Sequence, residues 1–299
     1  MRLAVIGAGA VGSSVVELAS DYGHTVTAYA DSRSAAVDAD GIDVAAAVER
    51  KQTDGLVGDE DPADAVEGPY DVLVEATPTT LGDAQPGFGH VETALQRDRH
   101  VVLANKGPVA ERYADVRELE RDSAGSVLFE ATVGGAMPVL STIDDFDPEH
   151  ITAVRGVLNG TANFILSRMS AEGLGYEHVL AEAQDLGVAE ADPTFDVDGT
   201  DAALKGVIVA NVLSDDDTEY ALEDADIEGI QDIEGSALEL AAEDGRTVRL
   251  IAEVIKGEVR VGPRLVPEHA GRLNISGRGA GGPETASAVL ADVGRLPEL

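Results

Sequence analysis

Residues 1–20 read MRLAVIGAGAVGSSVVELAS, and this stretch decides the fold. An apolar run from Arg2 to Ile6 leads directly into GAGAVG at residues 7–12, which has the spacing G-x-G-x-x-G, and a helical pattern follows to about Ser20. Glycines at this spacing let the backbone approach a pyrophosphate, and the helix N-terminus stabilises the negative charge. The strand–turn–helix context favours a dinucleotide site over a tight structural turn. The residues predicted to contact the dinucleotide are Gly7, Gly9, Ala10, Val11 and Gly12.

The end of the second predicted strand, Thr25 to Ala30, bears on which dinucleotide is bound. It is followed by Asp31, Ser32 and Arg33. An acid roughly 20 residues after the glycine motif usually accepts the ribose 2′-hydroxyl and favours NAD, whereas a nearby arginine accommodates a 2′-phosphate. The three residues are predicted to contact the ribose, and the cofactor is NAD or NADP, with a preference for NAD.

Two later predicted strands also end in polar residues. The strand at 71–75 runs into Thr77, and the strand at 100–104 runs into Lys106. Ligands of open α/β sheets bind at the carboxyl ends of the strands, so Thr77 and Lys106 are predicted to lie at the cofactor crevice. The alternatives are ordinary turn chemistry for Thr77 and a solvent-exposed strand end for Lys106.

Composition excludes several classes of partner. Asp and Glu outnumber Lys and Arg by 56 to 21, which gives a formal charge of −35 and repels nucleic acid and anionic membranes. This excess of acid resembles the hydrated surface of proteins that work in concentrated salt. The chain has no cysteine, no H-x-x-x-H pair among its six histidines and no apolar run long enough to span a bilayer, so a soluble cytoplasmic protein is expected.

The stretch LGVAEADPTFDVDGTDAALK, residues 186–205, is the predicted centre of the chemistry. Five acids precede Lys205, in a chain with only four lysines. Thr200 is predicted to cap a helix from about Asp201 to Leu213, which places Asp201 and Lys205 on one face. An ammonium held by carboxylates stays protonated and can donate a proton. The alternative is a solvated salt bridge.

Beyond Pro138 the pattern changes to α+β. The predicted fold is an N-terminal Rossmann-type parallel sheet, a second α+β domain for substrate binding and dimerisation, and a C-terminal helix that returns to the first domain. The predicted domains are residues 1–133 with 276–299, and residues 134–275. Glu130 and the following VGGAMP at 133–138 present oxygens that could hold a hard monovalent cation, sodium or potassium.

Over nearly its whole length the chain resembles homoserine dehydrogenase. The resemblance rests on the glycine motif, VVLANKG at 101–107, EATVGGAMP at 130–138, GVLNGTANFIL at 156–166, EAQDLGVAEADPTFDVDGTDAALK at 182–205 and GRGAGGPETASAV at 277–289. It implies reduction of L-aspartate 4-semialdehyde to L-homoserine with NADH or NADPH, in threonine and methionine biosynthesis, by a homodimer acting on a small-molecule substrate.

The resemblance also implies roles for individual residues. Lys205 is the proton donor to the aldehyde oxygen, Lys106 lies beside that oxygen and the nicotinamide, and Asp196 supports the lysine. The substrate-binding residues implied are Glu190, Asp201, Thr161 and Gly160. The cation ligands implied are Glu130, Val133, Gly135 and Met137, mostly through backbone carbonyls, while Gly187 and Gly282 line the cofactor and cation region. A lysine with a pKa near ~10.4 is an acid at neutral pH and a poor base, so homoserine oxidation is expected to rise toward alkaline pH.

Two departures from the family pattern matter. The segment Val261 to Arg272 is short, and no regulatory extension follows Leu299, so threonine feedback through an added domain is not expected. The competing hypotheses are another amino-acid dehydrogenase of the same architecture and a catalytically silent nucleotide-binding regulator.

Overall fold

A computed structural model describes residues 1–214, 218–255, 257–267 and 281–297. The chain divides into two compact units. The first contains Met1–Asp145 and the described residues 281–297, and the second contains the described residues from Phe146 onward to Pro267. The predicted boundary at which the chain returns from the second domain to the first, between residues 275 and 276, lies outside the described residues.

The first unit is built on a six-stranded sheet. Its strands are β1 (Arg2–Ile6), β2 (Thr25–Ala30), β3 (Ala35–Val37), β4 (Val72–Glu75), β5 (His100–Leu103) and β6 (Val127–Leu128), in the spatial order β3-β2-β1-β4-β5-β6. All neighbours pair in parallel except β3, which is antiparallel to β2. The sequence does not indicate β3, because residues 34–68 are polar, acidic and alanine-rich, a composition typical of surface helices and loops.

Helices lie between these strands. They are α1 (Ala10–Leu18), α2 (Val44–Asp54), α3 (Pro62–Val66), α4 (Gly87–Leu95), α5 (Gly107–Glu111) and α6 (Tyr113–Arg121), and α7 (Val139–Phe146) follows β6. Helix α5 ends at Glu111 and α6 begins at Tyr113, so the two helices meet at Arg112. Buried apolar residues of β1, β2 and β4, including Leu3, Val5 and Tyr29, form the core against α1.

The second unit combines a four-stranded sheet with helices. Its helices are α8 (Gly160–Glu172), α9 (Tyr176–Asp185), α10 (Thr194–Val197), α11 (Thr200–Leu213) and α12 (Gly235–Glu243). Its strands are β7 (Ala153–Gly156), β8 (Ala225–Ile227), β9 (Arg246–Ile255) and β10 (Glu258–Pro267), in the order β7-β9-β10-β8. Helix α11 is the centre of this unit, because its residues from Asp201 to Asn211 are almost all buried.

The last helix, α13 (Gly282–Arg295), belongs to the first unit and packs against α1. Its buried face, which includes Ala286, Val289 and Val293, joins the core of the sheet. This returning helix and the parallel sheet confirm the predicted α/β class. Within the described residues, no helix is both long and apolar enough to cross a membrane.

A buried carboxylate pair anchors α13 to the segment after β6. The backbone N–H of Glu130 donates to Asp292 Oδ2 at 2.9 Å, and Arg295 Nη1 donates to Asp292 Oδ1 at 3.0 Å. Burial, together with the nearby Glu130 carboxylate, raises the pKa of Asp292 to about 6, although the hydrogen bond from Glu130 N–H and the charge of Arg295 oppose the shift. Ionisation of this group therefore works against the folded state.

We expect Asp292→Asn to change the pH dependence of stability. The folded-state pKa of Asp292 lies above the value of an unfolded aspartate, so its contribution to stability is full at low pH and falls as pH rises toward about 6. Relative to wild type, the variant should gain about 2 kcal/mol of unfolding free energy between about pH 4 and about pH 7.5. Denaturant unfolding at both pH values measures this, with the exposed Asp144→Asn as control. A constant difference between variant and wild type would contradict it.

Candidate active site

The register of the first sheet brings several predicted site residues to one edge. Ile6 at the end of β1 lies opposite both Ala30 of β2 and Glu75 of β4, and Glu75 lies opposite Leu103 of β5. Four neighbouring parallel strands therefore end at the same level. The residues that follow them are Gly7, Asp31, Thr77 and Lys106, so the first unit presents all four at the carboxyl edge where such sheets bind ligands.

The glycine turn has a packing reason at two positions and open space at a third. Gly7 has φ +115°, and a Cβ there would lie 2.3 Å from Ala76 O. A Cβ on Gly12 would lie 1.8 Å from Gly7 O, so α1 could not approach the turn. Gly9, the residue before α1, has no heavy atom within 4 Å of a Cβ position. The turn therefore leaves room at the N-terminus of α1, where amides can receive a pyrophosphate, and the residues fit a dinucleotide.

Asp31 is held by a cluster that the sequence did not predict. Its Oδ1 accepts the N–H groups of Arg33 at 2.7 Å and Ser34 at 2.8 Å, and its Oδ2 accepts Lys51 Nζ from α2 at 2.5 Å. Partial burial raises the pKa of Asp31, but the hydrogen bonds from Lys51 and from the two amides outweigh it, and the net shift is downward. The Arg33 guanidinium and Lys51 Nζ both donate to Gly55 O. Asp31 is thus an ionised acid paired with Lys51.

A second unpredicted cluster lies beneath Lys106. Glu75 is fully buried and receives hydrogen bonds from Thr77 N at 3.0 Å, from the Thr77 hydroxyl and from Asn105 Nδ2 at 3.3 Å. Its other oxygen lies 2.6 Å from His90 Nδ1 on α4. Asn105 Oδ1 accepts Gly107 N at 2.9 Å. The cluster ties the end of β4 to the end of β5, and it fixes the backbone on both sides of Lys106.

In the second unit, Asp196, Asp201 and Lys205 belong to one hydrogen-bonded cluster. Lys205 Nζ donates to Asp201 Oδ2 at 2.7 Å, which confirms that the two side chains share a face of α11. Lys205 Nζ also donates to Leu158 O at 2.7 Å. Asn159 Nδ2 donates to Asp196 Oδ1 at 2.7 Å and to Asp201 Oδ2 at 2.9 Å. Asn159 and Asp201 are buried, so this cluster is not a solvated surface pair.

The position of Lys205 suits a proton donor. An ammonium has three N–H bonds, and two of them point to Asp201 and Leu158. Its side chain is 14% exposed, so Lys205 is not completely buried. The helix begins one residue earlier than predicted, at Thr200, after Gly199 with φ +91°. The predicted cap by Thr200 is wrong, because Thr200 is the first residue of the helix and the N-cap is Gly199, which has no side chain to cap it.

The remaining predicted substrate residues are less closely joined. Thr161 Oγ1 donates to Val188 O at 3.1 Å, which ties the start of α8 to the segment that follows α9. Gly160 and Gly187 are exposed, and Gly187 has φ +68°. Glu190 is exposed, and among the described residues no hydrogen bond joins its carboxylate to the Lys205 cluster. Its role in binding substrate stays a prediction.

The predicted cation site retains only part of its donor set. Both carboxylate oxygens of Glu130 accept first-turn amides of α7, Leu140 N and Ser141 N, each at 2.8 Å. The backbone carbonyls of Glu130, Val133, Gly135 and Met137 are the other predicted ligands. Within the described residues, no group of three or more His, Cys, Asp or Glu side chains could hold a metal. The cation stays a prediction, and no catalytic step depends on it.

Gly282 has a clear packing role. A Cβ there would lie 2.6 Å from Ser14 Oγ and 2.7 Å from Ala10 O, so the glycine lets α13 begin directly against α1. A contact between Gly282 and the cofactor stays a prediction. The residues that sequence reasoning missed are Lys51, Glu75, His90, Asn105 and the bridging role of Asn159. The scarcity of lysine was a signal for Lys51, and the position of Asn159 before a predicted helix was a signal for a cap alone.

Comparison with known proteins gives a consistent result. The family model described as Homoserine dehydrogenase matches residues 138–271, and a model described as Glutamate/Leucine/Phenylalanine/Valine dehydrogenase matches residues 1–75. The homoserine dehydrogenase of Methanocaldococcus jannaschii is 36% identical, over 98% of this chain and 97% of its own. The second model matches only the region around the glycine turn, whereas the similarity to the M. jannaschii protein extends over both units.

Solved structures support the same grouping. A crystal structure of a chain from Archaeoglobus fulgidus, provisionally named homoserine dehydrogenase, has 38% identity and a TM-score of 0.88, covering 98% of each chain. A hyperthermophilic archaeal homoserine dehydrogenase in complex with NADPH has 26% identity and a TM-score of 0.82, covering 98% of this chain and 96% of that one. Both matches extend over the first and the second unit.

Proposed function

The chain belongs to the homoserine dehydrogenase family, and from that premise we propose which of its residues carry the reaction. It is an NAD(P)-dependent oxidoreductase that interconverts L-aspartate 4-semialdehyde and L-homoserine. The observation that carries this conclusion is 36% identity to a homoserine dehydrogenase over 98% of the chain. The roles of individual residues in this chain are our proposal.

Lys205 is the proton donor to the aldehyde oxygen. When bound, the nicotinamide supplies the hydride, and the protein must protonate the alkoxide that forms. Asp201 and Leu158 O direct two N–H bonds of Lys205, which leaves the third for the substrate oxygen. A donor held in place before the reaction begins avoids the entropy of orienting it, and this supports the assignment.

Lys106 stabilises the negative charge that develops on the reacting oxygen. It follows β5 at the carboxyl edge of the first sheet, and the Glu75–Asn105 hydrogen bonds fix its backbone. A second ammonium beside the developing alkoxide would lower the barrier through charge stabilisation. The two lysines belong to different units.

The acids select a substrate that carries an ammonium group. Asp196 and Asp201 bring two negative charges to the cluster and Lys205 brings one positive charge, which leaves a formal charge of −1. The α-ammonium of aspartate semialdehyde or homoserine would balance that charge, and a charged partner forms stronger hydrogen bonds than a neutral one. Glu190 is a further candidate for this contact, because it lies six residues before Asp196 on the same segment.

Asp31, Arg33 and Lys51 determine the choice of cofactor. An acid in this position favours the 2′-hydroxyl of NAD, as the sequence indicated. Lys51 neutralises Asp31, and with Arg33 it gives the cluster a formal charge of +1. We infer that the chain accepts NADPH as well as NADH, with Lys51 and Arg33 binding the 2′-phosphate.

We expect Lys205→Met and Lys106→Met each to lower turnover by about 100-fold or more, because each removes a group that acts on the reacting oxygen. The dissociation constant for NAD(P)H should change little. Steady-state oxidation of NAD(P)H with L-aspartate 4-semialdehyde at high salt measures turnover, and the control is Arg246→Met, which removes a charge that pairs with Asp244. Full activity in either lysine variant would disprove the role of that lysine.

Wild-type homoserine oxidation should rise toward alkaline pH.

For Lys51→Met, we expect kcat/KM with NADPH to fall at least about 10-fold further than kcat/KM with NADH, because only NADPH loses a charge-assisted contact. Arg50→Met is the matched control, since Arg50 is adjacent in sequence but pairs with Asp59. Equal losses with the two cofactors would place the 2′-phosphate elsewhere.

We further propose a homodimer that works in the cytoplasm of a salt-adapted cell. The formal charge of −35 supports the salt adaptation, because screening relieves the self-repulsion of such a chain. Between low and molar KCl, the sedimentation coefficient should rise to that of a dimer, and the enzymatic activity should increase. If a small cation binds, NaCl should support activity and tetramethylammonium chloride should not, whereas both salts should support it if screening alone acts. Cell fractionation tests the compartment. A protein that is a fully active monomer without salt would contradict the proposal.

A further inference from the structure

Asn159 occupies the centre of the lysine cluster. It is 3% exposed and lies immediately before α8. Its Oδ1 accepts Ala162 N at 2.8 Å, and its Nδ2 donates to both Asp196 and Asp201. We propose that Asn159 is a positioning residue for the reaction, which holds the two acids so that Asp201 aligns Lys205 with the substrate. The inference rests on the proposed role of Lys205.

The chemistry of its neighbours fixes the orientation of the Asn159 amide. Ala162 N–H can only donate, so it must face the amide oxygen. The carboxylates of Asp196 and Asp201 can only accept when ionised, so they must face the amide NH₂. A reversed amide would lose all three hydrogen bonds. The side chain therefore has a single low-energy orientation.

The two acids need a neutral donor between them. Asp196 precedes α11 and Asp201 lies in its first turn, and the two like charges repel. The two N–H bonds of Asn159 each satisfy one carboxylate without adding charge, so the net charge that a cationic substrate would meet is kept. A lysine or arginine in this place would cancel that charge. An aspartate would increase the repulsion.

Asn159 and its neighbour also hold Lys205 from two sides. Asp201 Oδ2 accepts both Asn159 Nδ2 and Lys205 Nζ, while the carbonyl of the preceding residue, Leu158, accepts Lys205 Nζ directly. Asn163 Nδ2 in turn donates to Asn159 O at 2.9 Å and to Leu250 O of β9 at 3.0 Å. These hydrogen bonds fix the peptide between β7 and α8 on the sheet. The carbonyl of Leu158, which belongs to that peptide, therefore holds the amine of Lys205 in place.

Two substitutions separate helix capping from positioning. Serine and aspartate cap helices about as well as asparagine, so Asn159→Ser and Asn159→Asp should fold. Both lose the two N–H donors. We expect Asn159→Ser to lower kcat for aldehyde reduction about 10-fold or more with an unchanged dissociation constant for NAD(P)H.

Asn159→Asp adds a third carboxylate near Lys205, and an added negative charge favours the ammonium form of a lysine. The alkaline rise of homoserine oxidation should therefore move to higher pH, by about half a pH unit or more. An unshifted profile would show that the side chain at position 159 does not act on Lys205.

The control is Asn211→Ser on the same helix as Lys205. Asn211 is a buried amide that exchanges two hydrogen bonds with the backbone of Tyr220, outside the cluster. This variant should lose thermal stability but keep the wild-type pH profile. Wild-type kcat in Asn159→Ser, or an unshifted profile in Asn159→Asp, overturns the inference.

The double variant Asn159→Ser/Lys205→Met separates the role of Asn159 from the role of Lys205. If Asn159 acts through Lys205, the double variant should be no slower than Lys205→Met alone. Full activity of Lys205→Met would remove the proposed donor itself. A damaged Lys205→Met beside an unaffected Asn159→Ser would refute only the positioning role.

Discussion

The parallel register of β2, β1, β4 and β5 is the constraint on which the first unit, where the dinucleotide is proposed to bind, depends. Because Ala30, Ile6, Glu75 and Leu103 are direct neighbours across the strands, the chain leaves all four strands at one level. A shift of two residues in one strand would keep its buried face but move its terminal residue away from the shared edge by roughly 7 Å. Burial alone therefore does not secure the site, and the alignment of the strand ends must be fixed by local contacts.

The polar clusters supply those contacts. Glu75 joins the ends of β4 and β5, and Asp31 joins the end of β2 to α2. In the second unit, Asn159 joins two acids and the start of α8. Each cluster places charged or polar groups where water is scarce, so each group must find its partner in the protein. The same requirement that makes these residues costly to bury makes their positions well defined.

Sequence patterns were sufficient where the interaction is local. The motif at residues 7–12 specifies β1, the turn and α1, and the spacing of Asp201 and Lys205 specifies an ion pair on one helix. Sequence patterns were insufficient where the interacting residues lie far apart in the chain. Asn159 lies 37 and 42 residues from the acids that it binds, and Glu75 lies 30 residues from Asn105. An asparagine before a helix predicts a cap, but its second set of hydrogen bonds depends on tertiary structure. Strand β3 was missed because three residues paired to one edge carry almost no pattern of their own.

The packing of Gly282 against α1 has a consequence for the order in which the protein is made. The core of the nucleotide-binding unit includes Ala286, Val289 and Val293, which leave the ribosome long after Leu3 and Val5. Part of the apolar surface of residues 1–145 therefore stays uncovered while the ribosome synthesises the second unit, which lies in the chain between the two segments of the first. The nascent chain completes its first domain last.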